Sequence, residues 1–383
     1  MKVRASLLTG LMEPWTTHEI EIDEPHRGEV KVKMAFAGMC HSDEHLRTGA
    51  LAQSPEVLSM MGLDGMFPIV GGHEGAGIVE SVGEGVTDLV PGDKVAVSFV
   101  PGCGRCEPCA AGTTYLCDMS AMTLAGPMMS DGTWRHHLGD RNLNRMAQLG
   151  TFSEYIVVNQ ASLVKIQPWQ DLRAAALISC GVSTGFGSAV ERAKVAPGEV
   201  VVVVGLGGVG SGAVQGARIA GARAIIAIDL FQSKVDRAMK IGATHGATSM
   251  LDAAFNILPD LTFGKNADVV ILTPGTVTGD LIEQARSITS KGGRVVVTGL
   301  AAWDTMQVDL NLFMFAMNNQ ALLGTVFGSA NPKMQIPKLL RLYEAGQLDI
   351  DTLITKEYDL DGVDQGYRDA ESGENVRGVV RFD

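Results

Sequence analysis

The order of hydrophobic and polar positions divides the chain into two patterns. Residues 19–38 alternate apolar and polar side chains, most clearly in EVKVKMAFAG, which predicts antiparallel strands. Short strands separated by glycine and proline turns continue through residues 79–97 and resume at residues 151–166. This pattern is typical of a small β-barrel.

From residue 198 onward, buried strands alternate with helices. The sequence GEVVVVVGLGGVG contains five consecutive valines, which predict a strand buried on both faces, followed by a helix of small residues. The later predicted elements are a strand at Ala224–Ile228, a helix at 234–241, a strand at Ala267–Leu272, a helix at 280–288 and a strand at 294–299. Such alternation predicts a doubly wound parallel sheet.

The end of the chain is predicted to return to the barrel. Residues 332–346 have the pattern of an amphipathic helix, and the strand at 378–382 finds no partner in the alternating region. We therefore expect one domain formed by residues 1–181 and 327–383, with a second domain, 182–326, inserted into it. A length of 383 residues agrees with about two domains of ~150 residues.

Composition and charge limit the kinds of partner that the protein is expected to bind. The net charge is −12 and no dense Lys/Arg cluster occurs, which argues against nucleic acid or an anionic membrane as the main partner. No apolar run approaches the ~20 residues of a membrane helix. The first residues, MKVRASLLTGLMEPW, predict a strand rather than a signal peptide, so we expect a cytoplasmic protein.

Four of the six cysteines lie within residues 101–118, which read PGCGRCEPCAAGTTYLCD. The spacing C-x2-C-x2-C-x7-C is typical of a structural zinc site with no open coordination position, because thiolates are soft ligands that suit zinc. Disulfides and an iron–sulfur cluster are the alternatives. The first needs an oxidising compartment and the second has no redox context here. The predicted ligands are Cys103, Cys106, Cys109 and Cys117.

The remaining two cysteines lie in segments rich in reactive side chains. Cys40 is the first residue of the cluster CHSDEH. Cys180 lies in SCGVSTG, at the predicted hinge between the first domain and the second. His73 and Glu74 stand among glycines in PIVGGHEGAG. The alternatives are a polar loop with a buried cysteine and a hydrogen-bonded polar turn. Cys40, His73 and Cys180 together offer two thiolates and one imidazole, which predicts a catalytic zinc with one open position.

A zinc ion at such a site lowers the pKa of a bound alcohol and so prepares it to give up hydride. The proton must still leave the buried site. Ser42 and His45 are close enough to Cys40 in sequence to form a proton relay.

The glycines of GLGGVG predict a dinucleotide site. Gly205, Gly207 and Gly210 follow a strand and open a helix, the arrangement in which a pyrophosphate rests on the helix N-terminus. Asp229 ends the next strand, where a carboxylate binds ribose hydroxyls and repels a 2′-phosphate, so NAD is favoured over NADP. Lys234 is expected to reach the same ribose. The alternative for Asp229 and Lys234 is a solvated strand end.

Together these motifs resemble the zinc-dependent medium-chain alcohol dehydrogenases over essentially the whole chain. The matching motifs are CHSD at 40–43, GGHEGAG at 71–77, the four-cysteine lobe, SCGVSTG at 179–185 and GLGGVG at 205–210. The resemblance implies a GroES-like β-barrel catalytic domain with an inserted Rossmann domain. It also implies two zinc ions per chain and an enzyme that interconverts an alcohol and an aldehyde or ketone with NAD(H).

The resemblance further implies roles for single residues. Glu74 would lie behind the catalytic zinc and exchange onto it, and Asp43 would orient His73. Ser42 and His45 would relay the proton, and Phe99 would line the alcohol pocket. The residues expected at the dinucleotide are His41, Thr184, Gly205, Gly207, Gly208, Val209, Gly210, Asp229, Lys234 and Arg377. Assembly into a homo-oligomer is expected through the sheet edge near residues 295–308.

Within that family the chain is most similar to the nitrosoaniline-dependent enzymes. The matching stretches are CHSD, LGTFSEYIVV at 149–158 and FGSANP at 327–332. Some of these enzymes keep NAD(H) as a prosthetic group and pass electrons to an external acceptor, so the same property is expected here.

Two departures from the family pattern stand out. His41 occupies a position where many relatives have a pyrophosphate-binding arginine, and histidine is a weaker phosphate partner. Residues 55–67 are longer than usual and rich in Met and Leu. They predict either a short helix packed on the barrel or a flexible apolar lip over a cavity for hydrophobic alcohols.

Two other functions compete with alcohol oxidation. A thiol-adduct formaldehyde dehydrogenase shares the histidine after the first cysteine, and its activity would require glutathione or mycothiol. A non-catalytic NAD(H)-binding protein on the same fold would usually lack metal ligands, whereas this sequence retains Cys40, His73 and Cys180.

Overall fold

A computed structural model describes residues 1–60, 62–122 and 124–383. These residues form two units. The barrel unit consists of Met1–Cys180, Asn331–Arg341 and Ile354–Asp383, and the sheet unit consists of Gly181–Ala330 and Leu342–Leu353. None of the described helices is long and apolar enough to cross a membrane.

The barrel unit contains strands β1–β11, β18 and β19. Their bounds are Lys2–Leu8 (β1), Thr16–Ile22 (β2), Glu29–Gly38 (β3), Ile69–Val70 (β4), Glu74–Val82 (β5), Lys94–Val97 (β6), His136–Leu138 (β7), Arg141–Asn142 (β8), Asn144–Arg145 (β9), Tyr155–Asn159 (β10), Leu163–Lys165 (β11), Ile354–Tyr358 (β18) and Arg377–Arg381 (β19). They form two sheets, in the orders β8-β7-β2-β1-β4-β9 and β11-β6-β5-β3-β19-β18, with β10 also paired to β3.

Strand β3 is a central strand of its sheet, where it pairs with β5, β10 and β19. Val30, Val32 and Met34 are buried in one apolar core, as the alternating pattern predicts. The C-terminal strand β19 pairs with β3 through the register Val379 to Gly38. The end of the chain therefore lies in the barrel unit.

The helices of the barrel unit are short, apart from one at its boundary. The α-helices are His41–Thr48 (α1), Pro55–Met60 (α2), Glu107–Ala110 (α3), Leu172–Leu177 (α4), Pro332–Glu344 (α12) and Val363–Glu371 (α13). Single 3₁₀ turns lie at Thr114–Leu116, Asp118–Met122, Met146–Gln148, Gln160–Ser162 and Leu360–Gly362. A π-helical turn at Ile178–Val182 continues α4 beyond its end.

The segment 55–67 packs against the barrel. Leu58, Leu63 and Met66 are at most 7% exposed and belong to one apolar core. Met60 points outward, with 88% of its surface exposed. Met61 lies outside the described residues. The sequence allows either a packed helix or a free lip, and the structure shows the packed helix.

The sheet unit is a six-stranded parallel sheet. Its strands are Val200–Val204 (β12), Ala224–Ile228 (β13), His245–Ala247 (β14), Ala267–Leu272 (β15), Thr289–Val297 (β16) and Ala321–Gly324 (β17). The order β14-β13-β12-β15-β16-β17 is that of a doubly wound dinucleotide-binding sheet, and every pair is parallel. The predicted fold class is confirmed.

Helices connect these strands. They are Ser183–Gly187 (α5), Gly208–Ile219 (α6), Gln232–Ile241 (α7), Met250–Asp252 (α8), Leu258–Thr262 (α9), Gly279–Ser287 (α10) and Leu312–Met317 (α11), with π-helical turns at Ser188–Arg192 and Ala253–Ile257 and a 3₁₀ turn at Phe327–Ser329. The five valines of β12 are all buried, as expected for a strand that is covered on both faces.

Candidate active site

Strand register brings two of the reactive segments together. Gly38, at the end of β3, pairs with Glu74, at the start of β5. Cys40 follows β3 by two residues and precedes α1, while His73 directly precedes β5. The antiparallel pairing therefore places the cysteine of CHSD beside the histidine of GGHE, although about 30 residues separate them in sequence.

The third segment completes a buried cluster of potential metal ligands. Ligand atoms of Cys40, His73, Glu74 and Cys180 all lie within 4.8 Å of one another, and all four residues are buried. Cys180 lies in the π-helical turn after α4. Such turns insert an extra residue into a helix and frequently occur at functional sites, because they redirect a side chain.

Ser179 fixes this helical turn against β5. Its hydroxyl oxygen accepts a hydrogen bond of 3.0 Å from the Gly75 N–H, and the hydroxyl donates to the Ala176 carbonyl at 2.6 Å. Ser179 is fully buried. One side chain thereby links the strand that follows His73 to the turn that carries Cys180.

The two glycines before His73 are required by space. Gly72 has a φ of +85°, and a Cβ atom there would lie 2.4 Å from Thr151 Oγ1. A Cβ atom at Gly71 would lie 2.2 Å from the Trp15 ring. Only glycine allows the backbone to approach Trp15 and Thr151 so closely in the turn that directly precedes His73.

Asp43 holds both the turn and the histidine. Its Oδ1 accepts a hydrogen bond of 2.7 Å from the Gly72 N–H, and its Oδ2 lies 3.0 Å from His73 Nδ1. These two facing atoms have no other hydrogen-bond partner in the part of the chain that the structure describes. Because Nδ1 faces Asp43, Nε2 is the nitrogen left for a metal.

The charges of the cluster suit a divalent cation. A hydrogen bond from Cys180 holds the pKa of Cys40 well below its usual value, with a further contribution from His73, although burial opposes the shift. Burial disfavours protonated His73, but Asp43 and Cys40 outweigh it and raise its pKa. The cluster concentrates soft, anionic donors in a buried pocket, so these residues fit a zinc ion.

Glu74 and Arg377 form a buried ion pair beside the two cysteines. Burial raises the pKa of Glu74 to about 7, and the Arg377 guanidinium opposes the shift. Gly38 makes room for the carboxylate, since a Cβ atom there would lie 2.2 Å from Glu74 Oε2. Arg377, expected at the dinucleotide, is only 4% exposed and contacts Glu74 in this structure.

The residues of the expected relay lie on or beside α1. The Ser42 hydroxyl is 3.7 Å from Cys40 Sγ. His45 is 6% exposed, and its ring meets the ring of the exposed His41 edge to face, with centroids 4.8 Å apart. Phe99 also approaches the cluster, because its ring centroid lies 5.9 Å from that of His73.

The four-cysteine lobe has the dimensions of a tetrahedral zinc site. Cys103 Sγ lies 3.9 Å from Cys109 Sγ, and Cys106 Sγ lies 3.8 Å from Cys117 Sγ. A tetrahedron with Zn–S bonds of about 2.3 Å has edges of about 3.8 Å. These separations exclude disulfides, whose sulfur atoms are about 2.05 Å apart. The four sulfur atoms all lie within 4.8 Å of one another, and they fit a zinc ion.

In the sheet unit, the glycine loop lies at the point where the strand order reverses. A Cβ atom at Gly210 would lie 1.8 Å from the Gly205 carbonyl oxygen, and one at Gly205 would lie 2.6 Å from Pro274 N. A Cβ atom at Gly207 would meet no atom within 4 Å. Thus Gly205 and Gly210 are needed for packing, whereas Gly207 faces open space in which a pyrophosphate could lie.

Asp229 supports this loop directly. Its carboxylate accepts hydrogen bonds from the Leu206 N–H at 2.7 Å and the Phe231 N–H at 3.0 Å. Lys234 lies with its Nζ 4.9 Å from the centroid of the Phe231 ring. Gly208 and Val209 begin α6. Thr184 Oγ1 is buried without a hydrogen-bond partner in the described part of the chain.

A doubly wound dinucleotide-type sheet and a buried, thiolate-rich metal pocket in a separate β-barrel define a class. The class is that of the two-domain, zinc-dependent dehydrogenases. Each half of the chain matches a family model of that class: the alcohol dehydrogenase GroES-like domain over residues 26–168 and the zinc-binding dehydrogenase domain over residues 208–345.

Similar proteins define the family more narrowly. Alcohol dehydrogenase B of Mycobacterium tuberculosis is 44% identical over 382 residues, which cover 100% of this chain and 99% of the relative. The NDMA-dependent alcohol dehydrogenase of Amycolatopsis methanolica is 44% identical over 380 residues, 99% of each chain. The crystal structure of benzyl alcohol dehydrogenase from Acinetobacter calcoaceticus superposes with a TM-score of 0.89 at 26% identity and covers 100% of both chains.

The chain belongs to the zinc-dependent alcohol dehydrogenase family and is an oxidoreductase acting on small molecules. The predicted family and reaction class are confirmed. These comparisons do not favour the thiol-dependent formaldehyde dehydrogenase or the non-catalytic NAD(H)-binding protein.

Sequence reasoning missed several residues that shape the site. Ser179 stands next to a predicted ligand, but its bond to Gly75 spans 104 positions and has no local signal. Asp369 accepts hydrogen bonds from Tyr358 at 2.6 Å and from Lys356 at 2.7 Å, and so ties α13 to β18, the neighbour of the strand that carries Arg377. Side chains of this kind are recognised only once the strands are paired.

Proposed function

We propose that the protein oxidises a hydrophobic primary or secondary alcohol to an aldehyde or ketone, with NAD as the hydride acceptor, and catalyses the reverse reaction as well. The observation that carries this proposal is the buried cluster of Cys40, His73, Glu74 and Cys180, whose ligand atoms all lie within 4.8 Å of one another. No other group of four such ligands outside the cysteine lobe occurs among the described residues.

Cys40, His73 and Cys180 would hold the catalytic zinc, which when bound polarises the alcohol oxygen and lowers the pKa of the hydroxyl. Asp43 keeps Nδ1 of His73 occupied and so directs Nε2 to the metal. Glu74, paired with Arg377, is close enough to serve as an alternative ligand. Cys103, Cys106, Cys109 and Cys117 would hold a second, structural zinc, giving two zinc ions per chain.

Ser42 and His45 would carry the proton away from the alcohol. The Ser42 hydroxyl adjoins the ligand cluster, and His45 lies three positions further along the same helix. The contact between the rings of His45 and His41 extends this line of groups to an exposed side chain. His41 would thus have two uses, as a proton exit and as a contact for the pyrophosphate.

The dinucleotide would be NAD(H), held by Gly205, Gly207, Gly208, Val209 and Gly210 with Thr184, Lys234 and Arg377. Asp229 favours the unphosphorylated ribose, because its carboxylate would repel a 2′-phosphate. Similarity to the NDMA-dependent relative supports a prosthetic NAD(H) that is reoxidised by an external electron acceptor. This assignment gives the catalytic role to the barrel unit and the NAD-binding role to the sheet unit. The expected domains, 1–181 with 327–383 and 182–326, differ from these units mainly at 342–353, which belong to the sheet unit.

The alcohol is expected to be hydrophobic. The half-buried rings of Phe99 and Phe67 and the half-buried Leu124 pack against the core to which Leu58 and Met66 belong. Phe99 meets the His73 ring edge to face, so it would stand beside the reacting oxygen.

The proposal is tested by steady-state oxidation of benzyl alcohol by the purified, desalted, zinc-loaded protein. Turnover with NDMA as acceptor and no added NAD, together with about one NAD(H) per chain released by denaturation, would support the whole proposal. Turnover only with added NAD would support alcohol oxidation and contradict the prosthetic cofactor. Absence of turnover with both acceptors, over a panel of primary and secondary alcohols, would contradict the function.

A further inference from the structure

A cavity of about 660 Å³ lies in the barrel unit, and it shares no residue with the cluster of Cys40, His73, Glu74 and Cys180. One side is formed by the turns that contain Arg27 and Glu84, which are joined by a hydrogen bond of 2.8 Å from the Gly28 N–H to the Glu84 carbonyl. The other side is formed by the start of the cysteine lobe and by Lys333 at the first turn of α12. Its volume lies in the range of small-molecule sites.

The charge of the lining differs from that of the chain. Four cations line the cavity, Arg27, Arg105, Lys165 and Lys333, against two carboxylates, Glu84 and Asp88, in a chain whose net charge is −12. Lys165 is neutralised by Asp93 at 2.6 Å. Among the described residues, no carboxylate forms an ion pair with the other three cations.

Two of the three free cations come from the lobe and α12. Glu84 and Asp88 belong to the turn on the Arg27 side, whereas the lobe and α12 contribute Arg105 and Lys333 and no acidic side chain to the lining. The Lys333 side chain lies along Gly102, where a Cβ atom would be 3.7 Å from its Cε. Arg105 follows Gly102 by three positions. Lys333 of α12 therefore approaches the loop that carries Arg105.

The backbone around Arg105 is well defined. The N–H groups of Arg105 and Cys106 both donate to Cys103 Sγ, the second at 3.4 Å. Leu163, Val164 and Met119 contribute apolar side chains to the rest of the wall, and Ser130, Asn159 and Gln160 contribute polar ones. A guanidinium and an ammonium near such a mixed wall are a suitable setting for a molecule that has one anionic head and an apolar body.

We propose that this cavity, here called the lobe cavity, is a second ligand site that binds a small organic anion, with its phosphate or carboxylate head between Arg105 and Lys333 and its apolar body against Leu163 and Val164. The site is independent of the catalytic proposal, since none of its residues takes part in alcohol oxidation.

The test is isothermal titration calorimetry of the full-length, zinc-loaded protein with excess NAD present, using 1-naphthyl phosphate and 1-naphthoate as probes. We compare the unmodified protein with Arg105→Glu and Lys333→Glu. The matched control is Arg141→Glu, which makes the same change at an exposed residue of β8 outside the cavity. Zinc content is measured for every variant.

We expect at least one probe to bind, and each cavity variant to weaken binding about tenfold or more, because a charge-assisted contact becomes a repulsion. Arg141→Glu should bind as the unmodified protein does. If Arg105→Glu loses the lobe zinc, Lys333→Glu, which lies outside the lobe, decides the result. The proposal is overturned if neither probe binds below about 1 mM, or if Lys333→Glu and Arg141→Glu bind equally well.

Discussion

Single residues with no chemical role decide whether the catalytic groups meet. Asp43 is the clearest case, since it bonds the turn before His73 with one oxygen and faces the His73 ring with the other. Gly72 allows that turn through its positive φ and its lack of a side chain. The geometry of the metal pocket thus depends on residues that would not contact the metal.

Substitution of Asp43 by Asn should weaken zinc binding at the catalytic cluster by about 10- to 100-fold, because the amide no longer holds the imidazole in one tautomer. Competition with a chelator, read by metal analysis, measures the effect. The lobe zinc should be retained. Asp64→Asn, a change at an exposed carboxylate, is the control. Equal zinc affinity in the two variants would show that Asp43 does not position His73 for zinc binding.

His136 provides a pH-dependent test of burial. It is fully buried, neither ring nitrogen has a partner among the described residues, and burial, with Arg145 next, holds its pKa well below the ordinary 6.5. His136 is therefore protonated near pH 6.5 in the unfolded chain but stays neutral in the folded chain. Its effect on the free energy of unfolding is small well above pH 6.5, and it lowers that free energy as the pH decreases below 6.5. The loss should reach about 1.4 kcal/mol at pH 5.5.

His136→Leu should abolish this part of the acid sensitivity, measured as the difference in the free energy of unfolding between pH 7.5 and 5.5. His18→Leu, at a residue that is not buried, should keep it. An unchanged difference in His136→Leu would show that another group causes the acid sensitivity.

For single residues, the metal ligands were easier to predict from the sequence than the contacts between side chains. Cys40, His73 and Cys180 could be grouped because four cysteines had already formed a separate motif and only two remained. The Glu74–Arg377 pair joins residues 303 positions apart, and nothing in either local sequence indicates the other. Long-range pairing of buried charges is set by strand register, which one sequence does not reveal.

Elements position the site through their ends. Cys40 follows the end of β3 and His73 precedes the start of β5, whereas Cys180 lies in the π-helical turn that joins α4 to α5. The glycine loop likewise occupies the junction of β12 and α6. Regular elements provide rigid supports, and their ends provide backbone freedom.

Two glycines of one loop should respond differently to the same change. Gly210→Ala places a Cβ atom 1.8 Å from the Gly205 carbonyl oxygen and should destabilise the fold by about 1–3 kcal/mol. Gly207→Ala meets no atom and has an ordinary φ of −72°, so stability should be unchanged. NAD affinity should nevertheless fall roughly tenfold, because the methyl group enters the space for the pyrophosphate.

Thermal unfolding and NAD titration of the two variants measure the two effects separately. Full NAD affinity in Gly207→Ala would place the pyrophosphate elsewhere.

Element bounds were predictable where periodicity is strong. The helices expected at 234–241 and 280–288 are Gln232–Ile241 and Gly279–Ser287. The π-helical turn at Ile178–Val182 was not predicted, since an inserted residue leaves the hydrophobic period nearly unchanged. The strand expected at 294–299 begins earlier, at Thr289, because the turn glycines Gly292 and Gly293 are included in it.

An exposed apolar surface at α11 of the sheet unit bears on how the whole molecule assembles. No residue of α11 is buried, and Leu312, Phe313 and Met317 are 71%, 70% and 67% exposed. Within the described residues, β17 pairs only with β16, so it is an edge strand beside this surface. An exposed edge strand beside apolar side chains can pair with a second copy of the chain. We propose that the homo-oligomer expected through the sheet edge near residues 295–308 also uses α11 and β17.

Phe313→Glu should therefore dissociate the oligomer, measured by sedimentation velocity over a range of concentrations. Phe255→Glu makes the same change at a residue that is 75% exposed and lies outside the proposed interface. It should leave the mass unchanged. A monomeric unmodified protein, or the same mass for both variants, would contradict this interface.

The parallel, doubly wound sheet and the return of the last strand to the barrel could be predicted, because both follow from the change of hydrophobic pattern along the chain. The packing of residues 55–67 could not be predicted, because Met and Leu side chains are suited both to a core and to a flexible lip. Only tertiary contacts distinguish Leu58, buried at 7% exposure, from Met60, exposed at 88%.

The proposed site of alcohol oxidation is a zinc ion held by Cys40, His73 and Cys180. The most direct test is the zinc content of Cys40→Ala, measured together with its oxidation of benzyl alcohol. Two zinc ions per chain are expected in the unmodified protein, one for each cluster. We predict one zinc ion per chain, an intact fold and no detectable oxidation in the variant. Unchanged oxidation would show that alcohol oxidation does not depend on a zinc ion at Cys40.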